Sequence, residues 1–297
     1  MNINLFHQDG LDFLSDIPDA SVDLVLVDPP YITSKETGMN KWVDHVAEQD
    51  KDGAVNIKTE EEWNNLKTLW EWFGFLHAGG VSAKSARSHL LKMKEDYLKY
   101  GSIYGKKYAV TTDYGDWDSD FTLEQLGLFI KHFYRVLKDG GTSIVFFDIW
   151  KLSPLKDMLE REKFKQVRFI EWIKTNPQPI NSSRNYLTNC REVALSVVKK
   201  GKGTFNSKYD NGIYTFPLQG GKNRFHPTQK SLPLFEELIV KHSNEGDLVL
   251  DCFAGSATTA IAAINTNRSF IGCEREEEYY SKAHAWIART LEKVSGQ

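Results

Sequence analysis

The chain has 297 residues, 41% hydrophobic, 26% charged and 12% aromatic, a globular composition that allows one large domain or two small ones and excludes disordered, collagen-like and membrane-spanning classes. No apolar run approaches the roughly 18 residues of a membrane span, and MNINLFHQDG lacks a basic-then-apolar leader, so a cytoplasmic protein without membrane association is expected. Three cysteines without a C-x-x-C pair (Cys190, Cys252, Cys273) argue against disulfides and structural zinc, no metal site is expected, and the net charge of -3 taken alone argues against a nucleic-acid partner.

In chain order, Ile3 to Phe6 reads as a short strand and Gly10 to Leu14 as an amphipathic stretch. Val22 to Val27 is nearly continuous, β-branched and apolar, which predicts a parallel strand buried on both faces. It ends in Asp28-Pro29-Pro30-Tyr31, where two prolines stop ladder pairing and leave Asp28 at the carboxyl end of a central strand. Residues 33–112 are long and polar, with helical spacing around Trp63, Leu66, Trp70 and Phe73 and over Leu90 to Leu98; a loop of this length must hold structure of its own. A helix is predicted from Thr122 to Leu137, stopped by Asp139-Gly140-Gly141. The strand Ser143–Phe147, a helix near Pro154 to Arg161 and the strands Val167–Ile173 and Glu192–Val198 follow, then loops and short hairpins to Asn223. The last third alternates the helix Leu232–His242, the strand Leu248–Asp251, the helix Ala257–Ile264, the strand Ser269–Cys273 and the helix Glu277–Val294. This alternation predicts an α/β fold with a mostly parallel twisted sheet and helices on both faces.

The charge is unevenly placed. Lys163 to Lys230 holds 13 bases against Glu171, Glu192 and Asp210, a net of +10, so the remainder carries -13. Val81 to Thr112 adds seven bases against two acids. An imbalance of this size favours a functional basic face over solvated surface.

Two strand ends carry unusual chemistry. In Asp28-Pro29-Pro30-Tyr31 the proline carbonyls have no ladder partner, the carboxylate is a second acceptor and the tyrosine a flat face, which suits a planar aromatic amine; a rigid turn with Tyr31 in the core is the alternative. In Asp251-Cys252-Phe253-Ala254-Gly255-Ser256 a buried strand runs into a turn of small residues, and Glu274 closes the next strand about 20 residues on, where an acid can hold ribose hydroxyls. The G-x-G-x-x-G phosphate fingerprint is absent, so the expected ligand is a nucleoside without phosphate, S-adenosylmethionine; a plain strand-turn-helix is the alternative.

Asp28-Pro29-Pro30-Tyr31, His226-Pro227-Thr228-Gln229-Lys230 and Asp251-Cys252-Phe253-Ala254-Gly255-Ser256, in that order, resemble the β-class DNA amino-methyltransferases. The resemblance implies a Rossmann-like S-adenosylmethionine-dependent methyltransferase fold with a helical insertion and a small target-recognition region. It implies that Asp28 and the Pro29 carbonyl accept hydrogen bonds from the exocyclic amine of a base, that Tyr31 stacks on its ring, and that Pro30 completes the catalytic tetrapeptide. Phe253, Ala254, Gly255, Ser256 and Asp251 would line the cofactor together with Asp28, Glu274 would bind its ribose, Asp9 would meet its adenine amine, and Thr228 and Lys230 would flank its methionine end. Trp172, Lys174, Asn176 and Pro177 resemble the strand and loop beside the target base. Among the bases, Lys174, Arg184, Arg191, Lys222 and Arg224, with Asn176, are the expected DNA contacts. The family often has Gly where Ala257 stands and Pro where Ser231 stands.

The implied organisation is a catalytic half over residues 1–32 and 113–178, a helical insertion over 33–112, a target-recognition region over 179–222 and a cofactor-binding half over 223–297. The insertion reads either as a clamp on DNA or as a small satellite core around Trp63, Trp70 and Trp72, the latter favoured because helix-spaced aromatics usually pack inward. The expected activity is transfer of a methyl group from S-adenosylmethionine to N6 of an adenine flipped out of double-stranded DNA. Cytosine-N4 transfer, a non-catalytic DNA-recognition protein of the same fold, and methylation of RNA or a protein amide are the rivals. Carbon-5 cytosine chemistry is rejected because none of the three cysteines follows a proline. A homodimer and a cognate restriction endonuclease are the further partners implied.

Overall fold

The computed structural model describes residues 1–31, 58–64, 91–95, 97–99, 121–177, 190–220, 224–226 and 228–295. Two compact units divide the chain: residues 1–32 with 120–297, and residues 33–119.

The larger unit is a three-layer α/β sandwich. Its strands are β1 (Ile3–His7), β2 (Val22–Val27), β3 (Leu137–Phe147), β4 (Lys165–Lys174), β5 (Arg191–Val198), β6 (Ile213–Phe216), β7 (Leu248–Asp251) and β8 (Ser269–Glu274), in the sheet order β1-β8-β7-β2-β3-β5-β4-β6. The first five in that order are parallel; β5 alone runs against its neighbours β3 and β4, and β6 returns parallel to β4. The expected sheet is therefore present. β2 shows why its sequence is a continuous apolar run: Val22, Val25 and Val27 enter one core, Leu24 and Leu26 the other.

The first core packs under α1 (Gly10–Asp16), α2 (Leu123–Val136) and α3 (Leu152–Arg161), the second under α4 (Leu232–His242), α5 (Thr258–Asn265) and α6 (Glu277–Ser295). Thr122 and Gln125 start α2 with a reciprocal capping box. Cations close two helix ends. Arg135 donates to the carbonyls of Leu14 and Ile17 at the end of α1, and the buried Lys199 donates to Leu137 O at 2.6 Å at the end of α2. Among the described residues no helix is long and apolar enough to cross a membrane.

Two local expectations change. Gly140 and Gly141 do not cap α2: the helix stops at Val136 and the chain passes directly into β3, where Gly140 adopts φ +83° and donates to Lys199 O. Within 199–223 a strand, β6, forms parallel to β4 instead of a hairpin, because the Gly212 carbonyl accepts the Glu171 amide and sets the register. β5 and β6 also place much of 191–216 in the main sheet, although 179–222 reads from sequence as a recognition module.

In the smaller unit, residues 60–64, 91–95 and 97–99 are helical. Thr59 and Glu62 cap the first segment reciprocally, Lys94 pairs with Glu60 at 2.7 Å, and the buried Trp63 ring lies 5.8 Å from Tyr97. Trp63 thus packs inward; Trp70 and Trp72 lie outside the described residues.

Candidate active site

In open α/β sheets ligands gather beyond the carboxyl ends of the strands. Here β2 leads into Asp28, β7 ends in Asp251 and β8 in Glu274, with Asp251 opposite Gly272 and His7 opposite Glu274. A side chain at Gly272 would place Cβ 2.3 Å from the Asp251 carbonyl, so only glycine lets β8 pass this close to the end of β7.

Lys230 ties two of the motifs together. Its ammonium lies 2.7 Å from Asp28 Oδ2 and 2.6 Å from Glu192 Oε2, and Glu192 Oε1 lies 2.6 Å from Lys174 Nζ. The four side chains alternate in sign and are 8% to 19% exposed. Burial pushes the Asp28 carboxyl above its ordinary range; Lys230 opposes that shift and Glu192 adds to it. For Glu192 two lysines outweigh burial and hold the carboxyl low. Burial works against the Lys230 charge as well, but Asp28 and Glu192 outweigh it and keep the ammonium protonated.

Tyr31 stands over this pair, its ring 5.4 Å from Lys230 Nζ and edge-on to Phe147 at 6.0 Å. Burial, then the Asp28 charge, pushes its phenol well above the usual value. Asp28 Oδ1 and the Tyr31 hydroxyl are both buried; the hydroxyl interacts with the Asp28 carboxylate, and neither atom has a well-aligned hydrogen bond among the described residues. Buried polar atoms of this kind call for an explanation, and a ligand bearing N–H groups supplies one.

The third motif lies beside the second. His226 sits 3.6 Å from where a side chain on Gly255 would begin, and Gly255 has φ +50°. Gly255 donates its N–H to Glu274 Oε2 at 2.7 Å, and Glu276 N–H donates to Oε1 at 2.9 Å. Burial raises the Glu274 carboxyl despite these two donors. Thr228 Oγ1 lies 3.1 Å from His226 Nδ1, and burial pushes the half-buried imidazole down to about 4. Ser256 Oγ contacts Thr258 Oγ1 at 3.0 Å, and Ala254 N–H donates to Cys273 O. Ala257 closes the turn at φ 60°, the left-handed conformation that glycine takes without strain.

Several residues expected on ligands also make contacts that hold the fold. Asp251 turns inward: its oxygens accept from Phe253 N–H and Thr259 Oγ1, and burial lifts its carboxyl to about 7. Asp9 caps α1 through Leu11 N–H, and Phe253 packs on Phe129 at 4.6 Å. Lys174 is paired with Glu192, Asn176 Oδ1 accepts Leu218 N–H, and the buried Trp172 donates to Phe216 O. Arg191 pairs with Glu171, Arg224 is exposed two residues before His226, and Arg184 and Lys222 lie outside the described residues.

The sequence reading missed Glu192 as a site residue, although its signal was available: it is one of only three acids among 13 bases, and it opens an apolar strand. Trp150, not singled out in the sequence, is an exposed aromatic near the end of β3, 87% exposed on the short turn that Asp148 caps. The basic stretch divides as well. Lys163, Lys165, Lys200 and Lys202 lie at the end of β4 and β5 that pairs with the start of β3, opposite Asp28. They do not line the site.

The DNA methylase family profile matches residues 22–285. The type II methyltransferase M2.DpnII of Streptococcus pneumoniae is 28% identical over 294 residues, covering 93% of this chain and 85% of the relative. M2.LlaDCHI of Lactococcus lactis subsp. cremoris, also a type II methyltransferase, is 34% identical over 189 residues, 57% of this chain and 70% of the relative. Among solved structures, the M1.HpyAVI-SAM complex shares the fold at a TM-score of 0.58 and 23% identity, covering 96% of this chain and 98% of that one.

Proposed function

Because this chain belongs to the DNA methylase family, we propose that it moves a methyl group from S-adenosylmethionine to the exocyclic N6 of an adenine flipped out of double-stranded DNA. The observation that carries this reading is Asp28 at the end of β2, with a buried Oδ1 that has no well-aligned hydrogen bond and lies beside the Tyr31 hydroxyl. An Asp before the two prolines resembles the adenine enzymes, and a Ser there the cytosine-N4 enzymes.

The residues fit the cofactor. The turn from Cys252 to Thr259 has no lysine or arginine to hold phosphate, its backbone is exposed to close approach at Gly255, and the half-buried Glu274 carboxylate stands next to it. S-adenosylmethionine, when bound, supplies an electrophilic sulfonium methyl. Asp28 Oδ1 accepts one amine N–H and the Pro29 carbonyl the other, which frees the nitrogen lone pair from ring conjugation and aims it; the N–H proton lost as the N–CH3 bond forms leaves by way of the Asp28 carboxylate. Tyr31 gives the extruded base an aromatic wall, repaying part of the few kcal/mol that unstacking costs. Lys230 favours the ionised form of Asp28 against burial and holds Oδ2, not Oδ1. Catalysis of this kind is positioning and electrostatics, with no covalent enzyme intermediate.

A DNA substrate goes with a cytoplasmic protein, and likeness to type II methyltransferases supports a cognate restriction endonuclease as partner; a homodimer would extend a short recognition region. The test is incubation with methyl-labelled S-adenosylmethionine and duplex DNA, followed by digestion to nucleosides. Label in N6-methyldeoxyadenosine is expected. Label in N4-methyldeoxycytidine instead would establish the cytosine reading, and no label in DNA would leave the non-catalytic recognition protein.

A further inference from the structure

We propose that Glu192 and Lys174 are positioning residues that set how tightly Lys230 holds Asp28, and hence how strongly Asp28 accepts the target amine. The proposal rests on the methyl-transfer reading above. In the sheet, β3 lies between β2, which carries Asp28, and β5, which carries Glu192. Lys230 spans the end of β3, its Nζ 5.8 Å from the Phe146 ring, and is shared between the two carboxylates at 2.7 and 2.6 Å. Glu192 Oε2, 2.6 Å from Lys230 Nζ, acts on the ammonium through charge and hydrogen bonding together. Lys174 fixes the far oxygen of Glu192 from β4.

The groups facing Asp28 are Lys230, Glu192 and Tyr31, with Asp251 beyond; Asp148 faces Tyr31, His226 faces Lys230, and Lys174 faces Glu192 and the Trp172 ring. Removing the Glu192 charge gives Lys230 wholly to Asp28, whose carboxylate becomes easier to form and a weaker acceptor. Removing the Lys174 charge leaves Glu192 uncompensated and draws Lys230 away. The two changes therefore act on Asp28 in opposite directions, which a merely structural role for this string does not produce.

The test compares Glu192→Gln and Lys174→Gln with the wild-type protein by carbon NMR of labelled aspartate carboxyls and by the pH profile of single-turnover methyl transfer. Glu192→Gln is expected to move the Asp28 titration and the acid limb of the rate down by about one pH unit, and Lys174→Gln to move both up. KM for DNA should change less than kcat. Shifts in the same direction, or none in folded variants, overturn the proposal. If Glu192→Gln does not fold, Glu192→Asp, which keeps the charge, should restore folding and wild-type titration, and Lys174→Gln alone decides the sign. A wild-type protein that methylates no DNA refutes the methyl-transfer reading, while the Asp28 titration still decides this one.

Discussion

Lys230 Nζ lies 2.7 Å from Asp28 Oδ2, so two sequence blocks about 200 residues apart meet in one shielded ion pair. Removing one partner of a buried pair is far worse than never having had it, because the other is left as an unpaired charge. Lys230→Met would strand Asp28 and Glu192 together. We expect it to lower stability by roughly 3–5 kcal/mol, measured by urea unfolding, and to move residual methyl transfer to higher pH because both carboxyls then resist ionisation. Unchanged stability and pH profile would contradict the role of the pair.

Asp28→Ala removes the acceptor itself. Transfer is expected to fall by at least about 10³-fold, a loss comparable with removal of a key transition-state hydrogen bond. Affinity for S-adenosylmethionine, measured by calorimetry, should stay within a few-fold of wild type, since the turn around Gly255 and Glu274 is untouched. Near-wild-type transfer would remove Asp28 from the mechanism.

The architecture was largely legible in the sequence because both strand types in a three-layer fold leave strong local traces. β2 and β7 are short apolar runs, and Leu232 to His242 forms the expected helix to the residue. The errors arose where tertiary pairing overrode local signals: Gly140 and Gly141 resemble a helix stop but lie inside β3, and β6 takes its place by pairing with Glu171 to Lys174 of β4, distant in sequence. The site was legible as three motifs, not as a network. Glu192 stands out by its sign among the bases, but that Lys230 and Lys174 both pair with it is a long-range relationship that a residue list does not show.

Ala257 stands where the resembling family often has Gly, and its φ of 60° shows why. A left-handed alanine costs about 1–2 kcal/mol, which Ala257→Gly would relieve. Against this stand a buried methyl, worth about 0.8 kcal/mol, and the greater freedom of an unfolded glycine, about 0.4–1 kcal/mol. The expected net change is within about 1 kcal/mol of zero. Ala260→Gly, in the regular part of α5, gains no strain relief and should cost about 1–2 kcal/mol from helix propensity and the lost methyl. Thermal denaturation of the two variants should rank them in that order; equal losses would contradict the strain.

Asp251, lifted to about 7 by burial, binds a proton in the folded protein that it would release on unfolding above about pH 4. Its contribution to stability is therefore present below pH 4 and lost as pH rises through 7. His226 and His242, both half-buried and pushed down to about 4 by loss of solvent, act the other way: their contribution is present above about pH 6.5 and lost as pH falls toward 4. Asp251→Asn can keep both contacts, accepting from Phe253 N–H and donating to Thr259 Oγ1. Its stability relative to wild type should rise steadily between pH 4 and 7, by about 1.4 kcal/mol per pH unit at most. A difference independent of pH would mean that Asp251 is ionised throughout.

The +10 charge of residues 163–230 does not form one face. Lys174, Lys199 and Lys230 are engaged inside the protein, and Lys163, Lys165, Lys200 and Lys202 sit at the opposite end of the sheet from Asp28. Arg191 and Arg224 are the described bases left exposed near the site, Arg191 with Glu171 as a partner that phosphate can replace. Each phosphate contact contributes about one unit to the slope of log affinity against log salt. Arg191→Ala and Arg224→Ala should therefore each reduce that slope by about 1, measured by fluorescence anisotropy with duplex DNA. Lys163→Ala and Lys200→Ala should leave it unchanged. A slope that responds equally to both pairs would show that DNA reaches the far edge of the sheet and that proximity to Asp28 does not decide which bases bind it.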